Sequence, residues 1–183
     1  GKPLKLMARP LRADIPIYLA VFKPRSVELA AEIADGWLPI FFSPERARET
    51  FPAPFARGDG FDIAPAVPAL VSDDLESARD ALRPYYALYI GGMGARGTNF
   101  YNDLVASYGF EAEAKTIQDL FLDGKQRDAA AAVPDVLIDE MALVGPPDRI
   151  RDRLAAWKES GATTMLVSAR DETTLRAVAE VLG

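Results

Sequence analysis

The chain has 183 residues, 49% of them hydrophobic, which is enough to bury a core and is the size of one domain or a large piece of one. Lys and Arg number 21 against 27 Asp and Glu, so the field is net negative and offers no basic footprint for nucleic acid. With no Cys and no His, the sequence excludes from within itself disulfides, thiolate nucleophiles, Ser-His-Asp and Cys-His catalysis and the usual zinc sets. What remains is carboxylates, Lys, Arg, Tyr and backbone donors.

The run Ile15-Pro16-Ile17-Tyr18-Leu19-Ala20-Val21-Phe22 is continuously apolar and rich in β-formers, and predicts a strand buried on both faces, as in a parallel sheet. Pro24 then suits a first helical turn, with Val27, Ala30 and Ile33 at helical spacing up to Ala34. Asp35-Gly36 turns the chain into a second strand, Trp37 to Phe42, and Ser43-Pro44 reads as a cap and first turn of a helix reaching about Phe51. A third strand follows from Asp62 to Val71. Asp73, with Glu76 three residues on, resembles a capping box ahead of Leu75, Ala78 and Leu82.

From Gly91 to Val144 the rhythm changes. A glycine-rich turn, Gly91 to Gly97, leads into several short helices with no strand among them, an insertion. The pattern resumes with a helix at Pro147 to Glu159, a strand at Thr164 to Ala169 and a last helix through Leu175, Val178 and Leu182. Four strands alternating with helices imply an α/β fold with a parallel sheet, half of a (β/α)8 TIM barrel, whose full form takes about 250 residues. An open half-barrel would expose unpaired strand edges and apolar surface, so it needs a missing N-terminal half or a second copy as a homodimer. The start at Gly1 rather than Met fits a missing upstream region. No apolar run approaches the roughly 20 residues of a membrane span, and the reading is of a cytoplasmic protein that does not meet membranes.

Three stretches carry a family resemblance: Ile15 to Ala20 through Ala34-Asp35-Gly36-Trp37-Leu38-Pro39 resembles the fifth-strand segment of luciferase-like oxidoreductases. Tyr89-Ile90-Gly91-Gly92-Met93-Gly94 through Asn99-Phe100-Tyr101-Asn102, with Ala142 to Ile150, is similar to the members that use the deazaflavin coenzyme F420. The resemblance implies that residues 1 to 183 are the C-terminal part of one barrel domain, strands five to eight, with the helical insertion at 91 to 144. It further implies hydride transfer between F420 and an organic small-molecule substrate, with most ring contacts and the acid-base groups coming from the N-terminal half. No catalytic proton donor is assigned here. The enzyme alternative is an FMN-dependent monooxygenase of the same superfamily; the other is a non-catalytic half-barrel that only assembles with itself or with its missing half.

Barrel ligands sit at the C-terminal ends of the strands, which directs attention to Val21 to Arg25, Ile40 to Ser43, Val71 to Asp74 and Ser168 to Asp171. The first ranks highest: Lys23 and Arg25 flank a helix N-terminus, whose free N–H groups and dipole favour an anion. The expected coenzyme contacts are Val21, Phe22, Lys23, Pro24 and Arg25, joined by Gly91, Gly92 and Arg96 for the phosphate or the acidic tail. Where relatives carry a glycine, Lys23 stands. Because the glycine turn follows a predicted helix, nucleotide-binding fingerprints that need a preceding strand do not apply. Phe41 and Phe42 are candidates for an apolar substrate wall, with core packing as the competing role. Tyr85, Tyr86, Tyr89, Phe100 and Tyr101 could line a pocket, with core packing the stronger reading, and Asp73 and Asp74 invite an acid-base role, with helix capping by Asp73 the stronger reading.

Overall fold

The computed structural model describes residues 11–182; residues 1–10, and with them the question of Gly1, lie outside the described residues. Six strand segments all pair in parallel. Tyr18–Leu19 (β1) lies beside Gly36–Trp37 (β2), and β2 lies beside Asp62–Ile63 (β3), with Tyr18, Gly36 and Asp62 in register. Gly36 is needed there: a Cβ would stand 2.4 Å from the Tyr18 ring and 2.8 Å from the Asp62 carbonyl oxygen. Passing over that glycine, the Tyr18 hydroxyl donates to Asp62 Oδ2 at 2.8 Å.

Only Ala64-Pro65 separates β3 from Ala66–Val71 (β4), and Ala64 and Ala66 keep donating to the Trp37 and Pro39 carbonyls. The two halves of β4 serve different partners. Ala66 to Pro68 pairs with Leu166–Ser168 (β6), while Ala69 to Val71 pairs with Leu143–Gly145 (β5).

Helices join the strands. Pro24–Ile33 (α1) links β1 to β2; Ala47–Thr50 (α2) and Pro52–Ala56 (α3) lead to β3. Leu75–Ala87 (α4) runs into a widened π turn, Leu88–Gly92, followed by Phe100–Ser107 (α5), Glu111–Leu122 (α6), Gln126–Ala131 (α7) and Asp135–Met141 (α8). Pro147–Glu159 (α9) and Glu172–Leu182 (α10) flank β6. Trp37, Phe42, Phe51 and Trp157 interlock at ring distances of 5.2 to 6.0 Å in the core beneath β2. No helix among the described residues is long and apolar enough to cross a membrane.

Several expectations need correction. The first strand pairs only at Tyr18–Leu19, and it is not buried on both faces: Ile15 and Ile17 are 75% and 58% exposed, because nothing among the described residues covers that edge. Ser43 does not cap a helix with its side chain. Its hydroxyl donates to Glu140, 3.1 Å away, and Arg46 holds the same carboxylate through two hydrogen bonds, so the turn at 43 to 46 is fixed by α8 instead. The cap of α4 is Asp74 and not Asp73, with Asp74 Oδ1 accepting from the Ser77 N–H at 3.0 Å. The stretch 91 to 144 does contain strand, since β5 begins at Leu143.

The stretch 91 to 144 is tied to α4 by ions. Arg79, almost buried, meets Asp139 at 2.6 Å and Asp135 at 3.1 Å, and Arg83 meets Asp135 and the Val133 carbonyl. These carboxylates hold the Arg79 guanidinium even further above its ordinary pKa.

Candidate functional site

At the C-terminal end of β1 the chain turns sharply into α1. Pro24 at the first helical position presets φ for the helix. Lys23 occupies the cap position with extended backbone, and no side chain caps the helix; its first turn holds no acidic residue. The partial positive charge of an uncapped N-terminus is therefore reinforced by Lys23 and Arg25, an arrangement that raises the free energy of the empty turn and is relieved by an anion. Among the described residues neither cation has a carboxylate partner; the Lys23 ammonium instead rests 4.0 Å from the Phe100 ring centre.

That contact spans a cleft of about 710 Å³. Phe22 to Ser26 form one wall, Phe100, Asp103, Leu104 and Ser107 of α5 the opposite one, and Thr50 and Phe51 close the end. Its cations, Lys23 and Arg25, stand at the turn, and one carboxylate, Asp103, lies in the opposite wall.

The α5 wall is positioned by the glycine-rich segment. A π turn leaves carbonyls without their usual helical donors, and here two asparagines supply them: Asn99 Nδ2 donates to the Tyr89 and Ile90 carbonyls at 2.9 Å, and Asn102 Nδ2 donates to Ile90 at 3.0 Å and Ala114 at 2.7 Å. Asn99 Oδ1 meanwhile caps α5 through the Tyr101 and Asn102 N–H groups. Gly91 and Gly92 sit in the π turn against Phe121, where a Cβ would come within 2.5 and 2.4 Å of that side chain. Arg96 pairs with Asp119 at 2.8 Å on the surface. The structure thus brings Phe22 to Arg25 together at the cleft and sets Gly91, Gly92 and Arg96 behind its α5 wall.

Phe41 has φ of +55°, the sole non-glycine residue with positive φ among the described residues, and strain of this kind concentrates at functional sites. Its carbonyl accepts from the Tyr108 hydroxyl at 3.2 Å. Its ring is stacked on Tyr85 and packed against Tyr86, Tyr89 and Tyr101, while Phe22 meets Tyr101 at 5.1 Å. Phe41 and Phe42 therefore face opposite ways, the first towards this aromatic group and the second into the core with Trp157. Of the tyrosines, Tyr86 is buried as expected, whereas Tyr85, Tyr89 and Tyr101 are half-buried at its rim. Burial, helped by its tyrosine neighbours, pushes the Tyr85 hydroxyl up to about 12, so it stays a neutral donor. A smaller cavity of about 210 Å³ opens beside Tyr85, between β4, α4 and the end of β6.

Sequence reasoning missed Asn99 and Asn102 as organising residues, although both stand inside the stretch that carried the family resemblance.

A family model described as luciferase-like monooxygenase matches residues 2–164. The chain belongs to this family. A Mycobacterium tuberculosis member, provisionally described as a coenzyme F420-dependent oxidoreductase, is 40% identical over the whole chain and 55% of its own length. The Archaeoglobus fulgidus 5,10-methylenetetrahydromethanopterin reductase is 28% identical over 84% of the chain and 48% of its own length. Among solved structures, the coenzyme F420-dependent tetrahydromethanopterin reductase of Methanopyrus kandleri superposes with a TM-score of 0.66 at 21% identity, covering 93% of this chain and 49% of that one. That likeness establishes a shared α/β fold with parallel sheets. The chain spans about half the length of the luciferase-like relatives it matches.

Proposed function

We propose that the chain is the C-terminal half of a luciferase-like (β/α)8 barrel, with β1, β2, β3 to β4 and β6 as strands five to eight and residues 91 to 144 as an insertion. The full barrel would transfer a hydride between coenzyme F420 and an organic substrate. Relatives whose names carry F420 or tetrahydromethanopterin support the reading, as do their greater length and the uncovered apolar edge at Ile15, Ile17 and Tyr18.

The observation that carries it is the uncapped N-terminus of α1 between Lys23 and Arg25, opening on the large cleft. The donor set fits the phosphate of a deazaflavin: backbone N–H groups of the first turn, two cations and the Ser26 hydroxyl, beside an apolar floor. F420 supplies the hydride chemistry when bound; this chain's part is to hold and orient it. Val21 and Phe22 form the apolar approach, Lys23, Pro24 and Arg25 the anion turn, and Gly91, Gly92 and Arg96 the support of the second wall, with Arg96 reaching an acidic tail. Phe41, with the tyrosines around it, is the proposed substrate side. Partners are then a small-molecule substrate and the N-terminal half, or a second copy in its place.

Fluorescence titration with F420 and with FMN tests this. F420 should bind, and replacing Lys23 and Arg25 together with Ala should weaken binding by about tenfold or more, the scale of a lost charge-assisted contact. Binding of FMN alone would move the chain to the monooxygenase reading, and unchanged affinity in the double variant would remove the anion turn.

A further inference from the structure

The cavity beside Tyr85 is separate from the α1 cleft and is built from different elements. Pro68 and Leu70 of β4 and Leu82 of α4 give it an apolar body, and the Tyr85 ring, stacked on Phe41, forms one wall. Ser168, the last residue of β6, and Arg170 just beyond it stand at its polar end. Arg170 is the one charged side chain in the lining, and it makes no ion pair among the described residues. Its neighbour Asp171 does not neutralise it: both Asp171 oxygens are engaged by Thr174, one by the N–H at 2.7 Å and one by the hydroxyl at 3.0 Å, in capping α10. The result is a small apolar pocket along β4 that ends at the C-terminus of β6 beside a solvent-facing hydroxyl and an unpaired guanidinium.

We infer that this cavity is a second ligand subsite, for the carboxylate end of a small organic molecule with an apolar or aromatic body. The planar guanidinium matches a carboxylate through two parallel hydrogen bonds, Ser168 adds a third donor, and Tyr85, neutral at physiological pH, offers a ring face to the body of the ligand. Calling that ligand the substrate rests on the oxidoreductase reading; the binding chemistry does not.

The test uses two probes of equal shape, 3-phenylpropanoate and 3-phenylpropanamide, titrated into the ¹⁵N-labelled chain. The carboxylate should bind at least about tenfold more tightly than the amide, the usual scale for a charge-assisted pair, with shifts centred on Leu70, Tyr85, Ser168 and Arg170. Arg170→Gln should erase the difference and Arg170→Lys should restore part of it; Arg170 is exposed, so neither replacement endangers the fold. Equal binding of the two probes, no binding, or a preference that survives Arg170→Gln overturns the subsite. An F420 titration run alongside separates the two ideas: F420 binding without a carboxylate preference sinks only the subsite, and a carboxylate preference without F420 binding sinks only the coenzyme reading.

Discussion

Gly91 and Gly92 make the sharpest structural prediction. Both lie in the π turn with Phe121 over them, and neither has a positive φ, so backbone strain is not the reason for glycine. Space is. A Cβ on Gly91 would stand 2.5 Å from Phe121 Cβ and 3.1 Å from the Ile117 carbonyl oxygen, both fixed by the α6 backbone; on Gly92 it would stand 2.4 Å from Cε1 and 2.9 Å from Cζ, the far end of the ring. Overpacking of this kind costs about 1–3 kcal/mol, offset by roughly 1 kcal/mol that alanine gains over glycine in helical backbone. The difference is about 0–2 kcal/mol; Gly91→Ala, whose clashes are with atoms the α6 backbone fixes, should take the upper half, about 1–2 kcal/mol or roughly 2–8 °C in Tm for a chain of this size, and Gly92→Ala the lower half. The partner substitution Phe121→Ala should rescue Gly92→Ala, because it removes the ring, and should leave Gly91→Ala uncorrected, because alanine keeps the Cβ. Urea unfolding of the two double-mutant cycles, followed by circular dichroism, reads these couplings. A Gly91→Ala chain as stable as the parent, or equal rescue of both by Phe121→Ala, would refute the packing argument.

Other expectations follow from the ion pairs and hydroxyl contacts. Burial works to raise the Asp62 pKa, but hydrogen bonds from Thr163, Tyr18 and Thr164 prevail and hold it below the usual carboxylate value. Folding thus favours the ionised form: the contribution is complete above the unfolded value of about 4 and fades as pH falls through the lower folded value. Urea midpoints measured towards acid should drop below about pH 4, and Asp62→Asn should flatten that decline. Arg79→Ala should cost about 2–3 kcal/mol, less than a fully buried pair because Glu76 and Asp135 are partly solvated; limited proteolysis should then cut first between residues 91 and 144. Asn99→Ala should uncap α5 and take the side-chain donor from the Tyr89 carbonyl, while Ile90 keeps its bond from Asn102; the loss should be about 1–2 kcal/mol by thermal melt, whereas a change under about 0.5 kcal/mol would deny the residue its organising role.

Where periodicity and caps agreed, the sequence was readable to the residue. Pro147 and the buried trio Ile150, Leu154 and Trp157 mark α9 at both ends, and the apolar run up to Val71 marks the end of β4, though not the alternation of its burial. The failures share a non-local cause. Ser43-Pro44 has the form of a helix start, yet its hydroxyl is claimed by Glu140, 97 residues away. Asp73 and Asp74 offer two capping frames one residue apart, and only the packed geometry of α4 selects the second. β5 is three residues with no alternation to reveal it, and it exists because β4 has bonding capacity left above β6. The cationic turn at Lys23 to Arg25 was legible because Pro, two cations and a strand end are adjacent in sequence; the strained backbone of Phe41 left no local signal, and the tyrosines at helical spacing could not tell which side met water.

The divided use of β4 sets where this protein can be recombined with its relatives. Its upper half is bonded to β5, and Ser72 donates in turn to the Gly145 carbonyl at 3.1 Å, so the last residues of the stretch 91 to 144 are ladder members of the sheet. A chimera that exchanged residues 91 to 144 as a cassette would carry away the π-turn glycines and most of β5 together, breaking both seams. Crossovers placed after Asn102 and before Asp135 leave the asparagines, the Arg79 carboxylates and β5 with the parent, but they exchange Phe121 with α6, so the incoming helix must again leave room for Gly91 and Gly92.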